Sequence, residues 1–118
     1  MRQIIRSSEF TSAVNNGLSI VALESTVLTH GLPRPQNLQL AHDMEDTVRE
    51  EGATPATIGF LDGQLHLGLE DAQLERLANE DNVLKVGPRD YATVVAKKIC
   101  GGTTVLNPRS SGDQTIWG

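Results

Sequence analysis

Residues Val21 to Asn37 read V-A-L-E-S-T-V-L-T-H-G-L-P-R-P-Q-N, and this stretch decides how the rest of the chain is understood. A run from Leu18 to Leu23, apolar but for Ser19, drives into an acid, Glu24, then hydroxyls at Ser25, Thr26 and Thr29. His30-Gly31 follows, and then Pro33 and Pro35, which are incompatible with an ordinary helix or a central strand. A run without polar alternation predicts a strand buried on both faces, as in a parallel sheet. Ligands of open α/β sheets collect at the carboxyl ends of strands, which places Glu24 where chemistry is usually done.

Working outward, Phe10 and Val14 recur at helical spacing before the stop signal Asn16-Gly17. After the proline loop, Leu40, Ala41, Met44 and Val48 predict a helix from about Pro35 to Gly52. Thr57 to Leu61 and Gln64 to Leu67 flank Asp62-Gly63, a pair suited to a type I′ hairpin turn. Leu69, Leu74, Leu77 and Ala78 mark a short helix, and Val83 to Val86 reads as a second buried strand. Asp90 is placed to cap a helix from Tyr91 to Ile99, and Gly101-Gly102 leads into a strand from Thr103 to Leu106. Strands alternating with helices predict an α/β fold, layered α/β/α around a mixed sheet. Residues Asn107 to Gly118 have no apolar periodicity, so the last strand lacks its covering helix. The expectation is a truncated portion of a larger domain, ending in an unrelated tail.

At 118 residues the chain is one domain at most, and a complete domain of this size buries roughly two-thirds of its unfolded surface. Aromatic residues make up only 3%, so the core must be aliphatic. A net charge of -5 argues against a nucleic-acid partner, although one small phosphorylated ligand is compatible with it. Cys100 is alone, which excludes an internal disulfide and suits a reducing cytoplasm. No run approaches membrane-spanning length, and Met1 to Arg6 lacks the apolar core of a signal peptide, so no membrane partner is expected.

Two residues stand out for chemistry. A carboxyl at the end of a buried strand loses hydration and can hold a proton near neutral pH, which makes Glu24 a candidate general acid. A glutamate that pairs with a nearby hydroxyl or caps the following turn is the plainer alternative. Lys85 lies in an apolar run, where an ammonium needs an anion: a ligand phosphate or carboxylate, or a structural partner such as Asp90. Gly101 to Thr104 could offer N–H groups and hydroxyls to a phosphate, although such strings are common in plain turns. His30, His42 and His66 show no metal-ligand spacing; His42 reads as solvated and His30 as shaping its loop. The acids Glu45-Asp46 and Glu50-Glu51 read as a solvated helix face. There is no G-x-G-x-x-G string and no P-loop.

The E-S-T and H-G-x-P-x-P-Q-N strings resemble the pseudouridine-5'-phosphate glycosidase family, also described as indigoidine-synthase-A-like. Further segments match in order: Gly52 to Ile58, Gly68-Leu69, Val83 to Val86 before Arg89-Asp90, and Gly102 to Val105. The resemblance covers roughly Leu18 to Val105, and the chain divides into a family-like part, 1–105, and a non-matching tail, 106–118. One departure is Gly87-Pro88-Arg89-Asp90, where relatives commonly carry S-R-R-D, so the loop near the ligand is expected to differ in shape.

The resemblance implies reversible cleavage of the carbon–carbon glycosidic bond of pseudouridine 5'-phosphate, giving uracil and ribose 5-phosphate. It implies Glu24 as the proton donor, Lys85 as a substrate-binding residue, and substrate contact at Val105 through its backbone. The family route opens the sugar ring and forms a Schiff base to a lysine, with manganese held by an aspartate. Neither that lysine nor that aspartate has a match in this chain; Lys97 and Lys98 precede the T-T-V string and are not equivalents. Homotrimers and a cytoplasmic setting are implied, with the chain inactive by itself. A non-catalytic interaction fragment and a phosphosugar-binding module are the alternatives.

Overall fold

Eight consecutive residues, Thr54–Leu61, form the strand around which the chain is organised, and all eight are buried. The computed structural model describes residues 4–81 and 83–103. Within them the order is β1 (Ile4–Arg6), α1 (Ser8–Asn15), β2 (Ile20–Leu23), a π-helical turn (Val27–Gly31) and α2 (Gln36–Glu50). There follow β3 (Thr54–Leu61), β4 (Gln64–Leu67), α3 (Asp71–Asn79), β5 (Leu84–Val86), a 3₁₀ turn (Pro88–Asp90), α4 (Tyr91–Lys97) and β6 (Gly101–Thr103).

The two faces of β3 explain the layering, since side chains alternate across a strand. Ala56, Ile58 and Phe60 point one way: the first two pack with Phe10 of α1, and Phe60 packs with Val86 and Val94 of α4. On the other face Leu61 joins Leu28 of the π-turn, Ala41 of α2, Leu69 before α3, and Leu74, Leu77 and Ala78 of α3. Gly59 lies on that face because a side chain there would press on Leu77 Cδ2 at 3.1 Å. Helices therefore cover both faces of one mixed six-stranded sheet, the α/β/α arrangement expected from the alternation of elements.

In the sheet, β1 pairs with β4 in parallel, and β4 with β3 antiparallel through a two-residue turn. Asp62 and Gly63 in that turn both have positive φ, 51° and 81°, as a type I′ turn requires. On the opposite edge β3 has two neighbours in succession. Its first half pairs with β2 in parallel, Leu23 opposite Thr57, and its second half with β6 antiparallel, Gly102 opposite Gly59. β5 then pairs with β6 in parallel. Pro55 is tolerated in this central strand because the adjacent Thr54 N–H donates to Ser19 O, on the β2 side. Pro55's missing donor therefore falls on the side where β4 has not yet begun.

Three expectations need correcting. β2 is not buried on both faces: Val21 is exposed and its neighbours half-buried, because among the described residues β2 pairs only with β3. β5 is an edge strand in which only Val86 is buried, while Leu84 and Lys85 are exposed. Asp90 does not cap α4 through its side chain; its carboxylate accepts from Gly87 N–H at 3.0 Å instead. β1 carried no signal in the sequence, and β6 begins two residues before the predicted strand. The continuation of that strand to Leu106 and the tail 106–118 lie outside the described residues.

Candidate active site

Glu24 follows directly on the last residue of β2, and its side chain is exposed. The loss of hydration expected at this position is therefore not met within the described chain. Among the described residues the Thr26 hydroxyl donates to Glu24 Oε1 at 3.2 Å. The residues after it fold into a tight turn. Ser25 O accepts from the N–H groups of Leu28 and Thr29 at 3.0 and 3.1 Å, so the chain curls immediately after the strand.

What holds this turn explains the H-G-x-P-x-P-Q-N string. Asn37 is buried at the start of α2, and its amide donates to Leu28 O at 2.9 Å and Ala78 O at 3.0 Å. Arg34 reaches the end of α3, donating to Ala78 O and Glu80 O, both at 3.1 Å. The His30 ring joins the Thr29 hydroxyl at 2.6 Å through Nδ1 and Val83 O at 3.2 Å through Nε2. These side chains lash the Glu24 loop to the segment that leads into β5. His30 shapes the loop, as expected; Arg34 and Asn37 went unread because only the tertiary fold supplies their acceptors.

Lys85 is opposite Gly102 of β6, and paired residues share a sheet face. It forms no ion pair among the described residues, and Asp90, the structural partner considered for it, is engaged by Gly87. An exposed ammonium on an edge strand, without a carboxylate partner among the described residues, leaves a charge available to a ligand. Val105, the third implied site residue, lies outside the described residues. Of the string Gly101 to Thr104, read as a possible source of N–H groups and hydroxyls for a phosphate, the first three residues are engaged in the sheet, and Thr104 lies outside the described residues. Gly101 to Thr103 are buried in β6, where Thr103 N–H donates to Ser25 Oγ at 2.8 Å and Thr103 Oγ1 to Val86 O at 3.1 Å. Gly102 lets the π-turn approach, since a side chain there would meet Ser25 O at 2.9 Å.

A buried acid was missed. Glu45 on α2 is 4% exposed, so it does not belong to the solvated face assigned to it. Thr57 Oγ1 donates to its carboxylate at 2.6 Å and Arg49 lies 3.3 Å away. Burial pushes its pKa up, against the opposing pull of Thr57 and Arg49. Arg49 also pairs with Glu9 at 2.8 Å, which holds the Glu9 carboxyl below its ordinary range and ties α1 to α2. Glu9, Glu45 and Arg49 line a recess of about 370 Å³ that includes neither Glu24 nor Lys85. His66 is also buried, with no hydrogen-bond partner for Nδ1 among the described residues, and burial lowers its pKa. Among the described residues no cluster of three His, Cys, Asp or Glu side chains could hold a metal ion. No helix among them is long and apolar enough to cross a membrane.

Similarity to known proteins bears on this geometry. Residues 9–108 match the family model described as indigoidine synthase A like protein. A pseudouridine-5'-phosphate glycosidase of Salinispora tropica is 53% identical over 97 residues, 82% of this chain and 30% of the relative. One of Staphylococcus aureus is 50% identical over 99 residues, 84% of this chain and 32% of the relative. Among solved structures, an indigoidine synthase A-like protein of Thermotoga maritima superposes with a TM-score of 0.75 at 29% identity. The prealnumycin C-glycosynthase AlnA, in complex with ribulose 5-phosphate, gives 0.77 at 32% identity. These two superpositions cover 97% and 98% of this chain, and 38% of each solved chain. The chain thus spans about a third of the length of the relatives it matches. With the family model matched from residue 9 to residue 108, the chain belongs to the indigoidine synthase A-like protein family.

Proposed function

We propose that this chain supplies the proton-donor portion of a pseudouridine-5'-phosphate glycosidase, an enzyme that reversibly cleaves a C-glycosidic bond to give uracil and ribose 5-phosphate. The observation that carries the reading is the position of Glu24. It leaves the sheet where the carboxyl ends of β2 and β6 meet, on a loop lashed by Asn37, Arg34 and His30. The relatives' names supply the substrate.

A C-glycoside has no heteroatom leaving group, so proton delivery to the base cannot by itself release it as in ordinary glycoside hydrolysis. In the proposed route Glu24 gives its proton to the ribose ring oxygen as the ring opens. An amine from the part of the family fold beyond these residues then bonds to C1'. Its lone pair forms the Schiff base as the bond from C1' to uracil breaks, the uracil carbon takes up a proton, and water hydrolyses the Schiff base to release ribose 5-phosphate. Lys85 binds the substrate's phosphate or sugar as a point charge, and Val105 contributes its backbone. In this reading manganese would be held by an aspartate beyond these residues, and the enzyme is a cytoplasmic homotrimer. The family-like portion is 1–105 and the tail is 106–118.

In a full-length relative carrying the Glu-Ser-Thr stretch, the glutamate-to-glutamine change matching Glu24 should cut turnover by orders of magnitude and spare phosphate affinity. Near-normal uracil release by that variant would defeat the assignment. A second reading, phosphosugar binding without turnover, is favoured by the ribulose 5-phosphate held by AlnA. Calorimetry of ribose 5-phosphate with residues 1–118 separates the two: binding without uracil release would support the second.

A further inference from the structure

Ile58 occupies a break in the sheet. Thr57 is paired with Leu23 of β2 and Gly59 with Gly102 of β6, so the strand beside β3 changes identity between them. Because β2 runs parallel to β3 and β6 antiparallel, the two share one lane with their carboxyl ends facing each other. A carbonyl at such a break has no ladder donor, and burying it unpaired is costly.

Ser25 fills the break. Its hydroxyl donates to Ile58 O and accepts from Thr103 N–H at 2.8 Å, and its own N–H donates to Thr103 O at 3.0 Å. It is wholly buried, at 0% exposure. The bond network continues sideways, because Thr103 Oγ1 donates to Val86 O at 3.1 Å. Glu24 and Lys85 are the immediate chain neighbours of its two ends, Ser25 and Val86.

We propose that Ser25 is a positioning residue: its hydroxyl pins the carboxyl ends of β2 and β6 to β3, and so fixes where Glu24 stands relative to Lys85. This rests on reading Glu24 as the proton donor. The burial of Ser25 and its backbone partners make this an indirect role, exerted through Glu24. A side chain with one donor and one acceptor on a single atom is what the break requires. Alanine would leave Ile58 O and Thr103 N–H without these partners.

Two measurements test it. In the 118-residue chain, NMR hydrogen exchange should show the Thr103 amide protected, with protection lost in Ser25→Ala and the β3–β4 hairpin amides unaffected. In a full-length relative carrying the Glu-Ser-Thr stretch, the matching serine-to-alanine change should lower kcat about tenfold or more with KM unchanged, the signature of an interaction realised only in the transition state. If alanine prevents folding, serine-to-cysteine keeps the shape, weakens both bonds and should give the same kcat loss. An inactive glutamate-to-glutamine variant beside a serine variant of unchanged kcat would overturn the positioning role alone. Unchanged turnover in the glutamine variant would overturn the donor reading beneath it. A Thr103 amide that exchanges freely in the unsubstituted chain would remove the pin itself.

Discussion

Replacing Thr57 with valine should cost stability in a way that depends on pH, because the hydroxyl lost is the closest partner of a buried carboxylate. Thr57 Oγ1 lies 2.6 Å from Glu45 Oε2, and the Glu45 side chain is only 5% exposed, so few other groups can replace the hydroxyl. A charge-assisted bond of this kind is worth roughly 1.5–3 kcal/mol, against about 1 kcal/mol between neutral groups. Burial raises Glu45 above its ordinary value of 4.5, so the folded chain holds that proton more tightly than the unfolded chain. The stability contributed by Glu45 is therefore fully present below pH 4.5 and declines as pH rises through its raised value. Thr57→Val removes a group that favours the charged form, so its cost should be about 2 kcal/mol at pH 7 and about half that near pH 4. Urea unfolding of the variant and parent at both pH values measures the difference. Equal losses at the two pH values would refute the reasoning. So would a Glu45→Gln background in which the pH dependence of the Thr57→Val loss persists.

Three further outcomes are expected. His66 is buried and its pKa is lowered by that burial, so its contribution to stability is present above the ordinary value of 6.5 and falls as pH drops through it; His66→Phe should flatten that slope in thermal melts between pH 7.5 and 5.5, and an unchanged slope would count against it. Leu77→Ala empties a fully buried position facing Gly59 and should cost about 2–5 kcal/mol by denaturant titration. A loss under about 1 kcal/mol would mean that α3 does not pack on β3 as described. Asn37→Ala deletes two buried bonds, to Leu28 O and Ala78 O, and should destabilise by about 2 kcal/mol while speeding amide exchange across residues 28–32. Unaltered exchange there would separate Asn37 from the shape of the loop.

Much of the architecture was legible in local signals. Pro35 and Gly52 bracket α2, and Asp62-Gly63 dictated the hairpin, because these residues act through their own backbone preferences. The E-S-T and H-G-x-P-x-P-Q-N strings point to the family whose model matches residues 9–108. The chain around Glu24 was equally readable as a strand end followed by a constrained loop. Burial was not. Glu45 looked solvated beside Asp46, yet it is buried against Thr57, twelve residues away in sequence, because α2 turns that face onto β3. Lys85 looked buried within an apolar run, yet it stands exposed on an edge strand. The run around Val21 likewise promised a covered strand and is half-open, since covering a face needs partners that no local pattern specifies. Local sequence determined most segments of helix, strand and turn, through dihedral preference and apolar period, β1 being the exception. Only tertiary structure decided that β2 and β6 would meet head to head and that Ser25 would close the gap. That junction joins atoms 78 residues apart, and a hydrogen bond of such range leaves no mark on the residues beside it in sequence.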